Sequence, residues 1–389
     1  MDHAILLLGY ALNPLGLFPT SYNDAVKEHL GGTKLKLYNV LKHANGFGAS
    51  IGMIFTSTTT IRLIARYNCL LRMEANENEA CHMDVMFYMV IFCFIEILLS
   101  QIPDFEMRWY FSIFGASMSF TYSVIALFFG VKTIVENKVI KGNLTGTNLP
   151  MPQKLWTIFT AVGNIAFGYS YFLLPLEFKE KIALPWSYSK TVNIAALICV
   201  IVASVFYILT GSIGYAAFGD NSPANLLTEF DFSFDRHSWL LNVANFAIIV
   251  HLAGSYQVFS DPIYLFVEGI AIRKFPSSDF INKEIQIHDR FTLIKINLFR
   301  LVWRSSFVVI TMIISVFLPF LDGIIGLIGA FGFFPLTVYF PMEVYLAHNR
   351  ISEWNKKRIS LCIISVTCLI VSIAAAGASF DIVMSNLLE

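Results

Sequence analysis

The stretch GNIAFGYSYFLLPLE, Gly163 to Glu177, sets two glycines, an asparagine, two tyrosines, a serine and a proline inside an otherwise apolar segment. Gly163 and Gly168 weaken a helix, and Pro175 removes a backbone donor and clashes one turn back. A helix broken in hydrocarbon exposes amide and carbonyl groups, and these are tolerated only where they face protein, water or a ligand. Freed amides and the positive end of a half-helix can hold a carboxylate, and freed carbonyls can hold a cation. A zwitterionic amino acid presents both charges. Asn164, Ser170 and the Tyr169 hydroxyl add hydrogen-bonding groups at that level. A proline and glycine kink with no ligand is the other reading of the same residues.

Ionisable groups at membrane depth are the second chemical signal, because a charge there is costly. His251, in IIVHLAGSYQVFSDP, lies near the middle of its apolar segment, with Asp261 and Pro262 deeper in it. A histidine takes or releases a proton near neutral pH, which suits proton coupling. A neutral histidine hydrogen-bonded between helices is the alternative. No phosphate-binding loop and no His-Glu-x-x-His metal pair occurs, so nothing argues for an enzyme, a cofactor or a metal. Gly46-Phe-Gly48-Ala-Ser-Ile-Gly52 misses the dinucleotide spacing by one residue and follows no strand, so it reads as a surface for close helix packing. Gly323, Gly326, Gly329 and Gly332 recur every three residues, as a groove for either static packing or sliding.

The elements that must position these groups are membrane helices. The chain has 389 residues, of which 56% are hydrophobic and 14% charged, with 36 phenylalanines; a soluble surface needs about a quarter charged. Apolar blocks long enough to cross about 30 Å of hydrocarbon predict about nine spans, near residues 37–65, 85–103, 109–134, 155–177, 191–218, 238–268, 297–320, 323–347 and 359–384. One set of alternating loops carries roughly 17 Lys and Arg and the other roughly 7, so the first set is expected in the cytoplasm. Cys69 and Cys81, flanking a polar loop, then fall outside, where a disulfide between them is expected. Asn143, in Asn143-Leu144-Thr145, falls outside as a glycosylation candidate. The zero net charge gives no invitation to nucleic acid. The opening residues lack the basic region of a secretory signal.

ILLSQIPDF (97–105), MSFTYS (118–123), GNIAFGYSY (163–171), GYAAFGD (214–220), ANLL (224–227), IVHLAGSYQV (249–258), LFRLVWRSSFVVIT (298–311), LTVYFPMEVY (336–345) and VSIAAAGA (371–378) occur in one order along the chain. Together they resemble the plant amino acid permease family, within the amino acid/auxin permease superfamily. That resemblance implies an all-α, LeuT-like inverted-repeat bundle that imports neutral and acidic amino acids with protons at the plasma membrane. It implies that Gly163, Asn164, Ala166, Phe167, Gly168, Tyr169 and Ser170 form an unwound substrate-contacting stretch. Asn45, Gly48, His251 and Tyr256 are implied as further pocket residues, while His251 and Asp261 stand as proton-coupling candidates from their place at membrane depth.

Against the family pattern only about twenty residues precede SYNDAVKEHLGG, so the sequence reads as a shortened member, lacking the first broken helix and with at most a remnant of the second. Residues 1–34 are expected to hold that remnant and a cytoplasmic loop, and residues 35–389 the polytopic transporter domain. Met53, Asp261, Pro175, Lys179 and Glu180 depart from the family's usual residues, which bears on selectivity. A non-transporting scaffold, sensor or partner subunit that associates with full-length permeases is the alternative function. The expected partners are amino acid substrate, protons and membrane lipid.

Overall fold

The computed structural model describes residues 22–72, 84–102, 105–143, 146, 149–169, 186–222, 225–228, 238–288, 293–317, 321–351 and 355–388. Its helices are α1 (Tyr22–Leu30), α2 (Gly32–Arg72), α3 (Val85–Ser100), α4 (Phe105–Asn137), α5 (Met151–Gly168), α6 (Trp186–Phe218), α7 (Ser238–Lys274), α8 (Asp279–Asn282), α9 (Leu298–Phe317), α10 (Leu321–Phe333), α11 (Phe340–His348) and α12 (Lys356–Leu388). Between α10 and α11 the segment Phe334–Tyr339 winds more widely, and the Phe340 N–H reaches back five residues to the Pro335 carbonyl.

Local chemistry sets several boundaries. Gly31 separates α1 from α2 at φ +87°, a left-handed corner that glycine adopts without strain. Asp84 caps α3 by accepting the Met86 N–H at 2.9 Å. Prolines 150 and 152 open α5, where missing donors cost nothing. In the polar run Thr56–Thr60 of α2, Thr56, Thr59 and Thr60 turn their hydroxyls onto the helix backbone: Thr56 donates to the Gly52 carbonyl at 2.9 Å, Thr59 to the Phe55 carbonyl at 3.0 Å and Thr60 to the Thr56 carbonyl at 2.8 Å. That is the usual way a hydroxyl is silenced in an apolar setting.

The burial pattern is inverted relative to a water-soluble protein. On α3, Val90, Phe94 and Leu98 are 50%, 59% and 56% exposed, while Glu96 and Ser100 are buried. On α12, Ile359, Ile363, Val366, Ile370, Ile373 and Phe380 form one exposed apolar stripe. Large contiguous apolar faces turned outward require lipid around them. Among the described residues six helices are long and apolar enough to cross a membrane: Ile113–Asn137, Leu197–Asn221, Trp239–Lys274, Leu298–Phe317, Ile325–His348 and Lys356–Ser385. Val85–Ser100 is a shorter apolar helix. The expected spans near 37–65 and 155–177 correspond to α2 and α5 and lie outside that set; Thr56–Thr60 makes α2 more polar, and Gln153, Lys154 and Asn164 do the same for α5.

One element departs from the all-helical expectation. Between α8 and α9, β1 (Glu284–His288) pairs antiparallel with β2 (Leu293–Asn297), Ile285 opposite Ile296 and Ile287 opposite Ile294. EIQIH and LIKIN alternate apolar and polar residues with a period of two, which is the strand period.

The chain divides into two compact units. Unit 1 comprises Met1–Gly48, Thr147–Ile208 and Asp322–Glu389, and unit 2 comprises Ala49–Gly146 and Leu209–Leu321, so the boundaries fall inside α2 and α6. Val26, Tyr38, Leu336, Phe340 and Val344 form an apolar core in unit 1. In unit 2 the long helices α4 and α7 pack through Ile125, Ala126, Phe129, Leu241 and Ala244.

Candidate functional site

The expected unwinding of Gly163–Tyr171 needs correction at its start. Gly163 to Gly168 are fully helical, the last two turns of α5, and the helix ends at Gly168. The reason lies in what the glycines touch. A methyl group built on Gly163 would lie 2.7 Å from the Gly326 carbonyl oxygen, so this glycine admits a neighbouring backbone and does not break its own helix. The end comes at Tyr169, whose φ of −97° and ψ of 0° leave the helical range. Its N–H turns back to the Ile165 and Ala166 carbonyls at 3.2 and 3.3 Å. Ser170 and Pro175 lie outside the described residues.

The carbonyl end of α5 is held by two hydroxyl-bearing residues of α6 that the sequence reading passed over. Tyr207 donates its phenol hydrogen to the Gly168 carbonyl at 3.3 Å. Tyr169 and Ser204 share a hydrogen bond of 2.7 Å between their oxygens, and the Tyr169 and Tyr207 rings meet edge to face at 5.6 Å. Ser204 and Tyr207, three residues apart, share one face of an otherwise apolar helix; that spacing was a signal.

The glycines of α10 are packed closely along their whole run. Methyl groups placed on them would meet Ile382 and Val383 of α12 at Gly323, Ser379 and Asn164 at Gly326, the Gly163 carbonyl and Phe167 at Gly329, and Asn45 at Gly332. Gly48 likewise abuts Ile328. Static packing, and not a sliding groove, is what these contacts describe. Asn45, Gly48, Gly163, Asn164, Phe167 and Gly168 thus all belong to unit 1, and several share one surface against α10. The Oδ1 atoms of Asn45 and Asn164 and the Ser379 hydroxyl are buried there without a hydrogen-bond partner among the described residues. Asn164 Oδ1 and the Ser379 hydroxyl lie together at Gly326, whereas Asn45 Oδ1 lies at Gly332, six residues along α10. Ala166 is half-buried on the last turn of α5.

The remaining candidates, His251, Tyr256 and Asp261, lie in unit 2. His251 Nδ1 donates to the Gly115 carbonyl at 3.0 Å, linking α7 to α4, and its ring leans on Tyr122. Since a carbonyl only accepts, Nδ1 carries the hydrogen and Nε2 is the basic nitrogen. Tyr256 is wholly buried and bonds to Thr311 Oγ1 at 2.9 Å; Thr311 donates onward to the Phe307 and Val308 carbonyls, so the tyrosine is the donor. Asp261 is buried beside Ser260, whose hydroxyl pairs with Ser50 at 3.0 Å. Tyr256, Ser260, Tyr264 and Glu268 recur every four residues, giving α7 a polar face turned inward.

Two buried acids in this seam also escaped the sequence reading. Glu268 accepts from Arg304 Nε at 2.8 Å and pairs with Arg300 at 3.4 Å, while Arg304 also donates to the Ser100 carbonyl at 2.6 Å. Glu96 receives Gln257 Nε2 on Oε2 at 2.6 Å and on its backbone carbonyl at 3.1 Å. One carboxyl in the apolar run VMFYMVIFCFIEILLS was a visible signal. Elsewhere, Cys69 is disulfide-bonded, and Cys81 lies outside the described residues. Asn143 is exposed, and the rest of its sequon, Leu144 and Thr145, also lies outside them.

The family described as Transmembrane amino acid transporter protein matches residues 12–385. Amino acid permease 3 of Arabidopsis thaliana is 44% identical over 371 residues, covering 94% of this chain and 77% of that relative. Amino acid permeases 2 and 4 of the same plant are each 43% identical over 372 residues, covering 94% of this chain and 75% and 79% of themselves. A match along nearly the whole chain, with outward apolar helices and inward polar faces beneath it, leaves one conclusion: the chain belongs to the transmembrane amino acid transporter protein family.

Proposed function

We propose that the chain moves amino acids across the plasma membrane by proton-coupled symport, on a LeuT-like inverted-repeat frame of about nine spans. The observation that supports this reading is the end of α5 at Gly168, while the apolar sequence runs on to Leu176. A helix that stops there offers carbonyl oxygens at low dielectric, where a ligand's ammonium group is the natural partner. Asn164 Oδ1, one turn before that end, is a buried acceptor without a hydrogen-bond partner among the described residues. Ser170 and the residues after it are expected from the sequence to supply amides for the carboxylate. In unit 2, His251 and Asp261 are the proton-coupling candidates: Nε2 of His251 is free to gain a proton while Nδ1 keeps its bond to Gly115.

Uptake of radiolabelled alanine and glutamate by membranes containing the chain tests this. Uptake above that of empty membranes is expected, rising when the outside is acidified and falling on Asn164→Ala. Uptake equal to empty membranes for every amino acid tried would reject transport and favour a partner role beside another permease.

A further inference from the structure

We propose that Glu96 is a proton-binding site at the centre of unit 2, with Gln257 as its fixed partner and Oε1 as the atom that gains and loses the hydrogen. The proposal rests on the proton-coupled reading above and names a group that reading does not contain.

Two of the buried acids of unit 2, Glu268 and Glu96, are treated differently by their surroundings. Glu268 has two guanidinium partners. Glu96, fully buried on α3, makes no ion pair among the described residues. Arg304, the buried cation of this seam, is committed to Glu268 and, one turn along α3 from Glu96, to the Ser100 carbonyl. A charge on Glu96 therefore stands uncompensated, whereas a bound proton cancels it.

The titratable groups facing it come from three helices. On its own helix there is Cys93. From α7 come Tyr256 and Tyr264, with the Glu268 carboxylate and Asp261 farther along and His251 in the other direction. From α9 there is Arg304, paired as described, with Thr311 bonded to Tyr256. The carboxyl itself is asymmetric. Gln257 spends both amide hydrogens on Glu96, one on Oε2 and one on the backbone carbonyl. Oε1 is buried and has no hydrogen-bond partner among the described residues. Oε2 is thus permanently an acceptor, and protonation falls on Oε1: one O–H bond forms on uptake and the same bond breaks on release.

Infrared difference spectra of the full chain in lipid, titrated from alkaline to acid, test the site directly. A carboxylic acid C=O band is expected that is missing from Glu96→Gln and displaced in Gln257→Leu. In uptake of radiolabelled alanine, Glu96→Gln should bring the ratio of acid-outside to symmetrical-pH uptake to unity. A band unchanged by Glu96→Gln overturns the proposal whatever the transport result. If the band behaves as expected but wild-type uptake ignores the proton gradient, Glu96 stands as a proton site and the symport reading falls. Should Glu96→Gln not fold, Glu96→Asp replaces it, with a shifted band supporting the assignment and an unshifted one rejecting it.

Discussion

Along α10, unit 1 makes its contacts through side chains that are not there: glycines every three residues let the backbones and short polar groups of α2, α5 and α12 come close. Along α7, unit 2 does the reverse, setting tyrosine, serine and glutamate every four residues, with Gln257 beside Tyr256, to bond neighbouring helices. Lipid gives two apolar helices no hydrophobic reason to associate, so contact must come from close packing or from hydrogen bonds. Close packing prevails along α10 and hydrogen bonding along α7. Close packing tolerates no added atom and needs no partner. A bonded seam accepts substitutes of similar shape but suffers when one partner is removed alone.

The sharpest way to break that comparison is at Arg304. Replacing it by methionine leaves Glu268 with only the part-exposed Arg300 and should cost up to about 3 kcal/mol, whereas Arg304→Met with Glu268→Leu should recover most of the loss. Thermal midpoints in detergent measure both, and equal losses in the single and double variants would contradict a bonded seam. In unit 1 the corresponding lesion is Gly329→Ala, whose methyl would strike the Gly163 carbonyl and the Phe167 backbone. Overpacking against backbone should cost about 2–3 kcal/mol, with no rescue from a second substitution at a side chain. Gly377 on α12 is the control: a methyl there meets nothing within 4 Å, so Gly377→Ala should stabilise by about 0.5–1 kcal/mol through helix propensity. The smallest effect is expected at the unit 1 surface, where Lys34 lies 3.5 Å from Glu343. Burial works to lower the Lys34 pKa, but Tyr339 and Glu343 outweigh it and raise it above 10.5. The pair's contribution is then complete below the ordinary lysine value and is lost only as pH climbs through the raised one. Lys34→Met should change stability by less than about 1 kcal/mol, and less still in high salt.

Much of this was legible in the residues. Blocks such as Lys356–Leu388 carry enough apolar length that a membrane helix is the only economical solution, and the helix is there. The glycine run 323–332 announced a packing face for the same reason. What Gly163 does was not legible, because a glycine that breaks a helix and one that admits a neighbour look alike until the neighbour is known. Its neighbour is Gly326, over 160 residues away in sequence. Glu96 and Arg304 were visible as charges in apolar runs, yet only their partners separate an uncompensated acid from a paired one. The β1–β2 hairpin was hidden by brevity: five alternating residues are a weak pattern beside helices of thirty.

The wide turn at Phe334–Tyr339 has a rotational consequence. Winding with bonds five residues apart holds more residues per turn, so every side chain after Tyr339 is turned by about 100° from where an unbroken α-helix would aim it. The phase of α11 is thereby set independently of α10. Phe340 and Val344 swing toward Val26 and Tyr38, while the glycines before the turn keep their own bearing on α5 and α12. A single rod thus addresses two neighbours lying at different compass points, which a uniform helix of that sequence could not do.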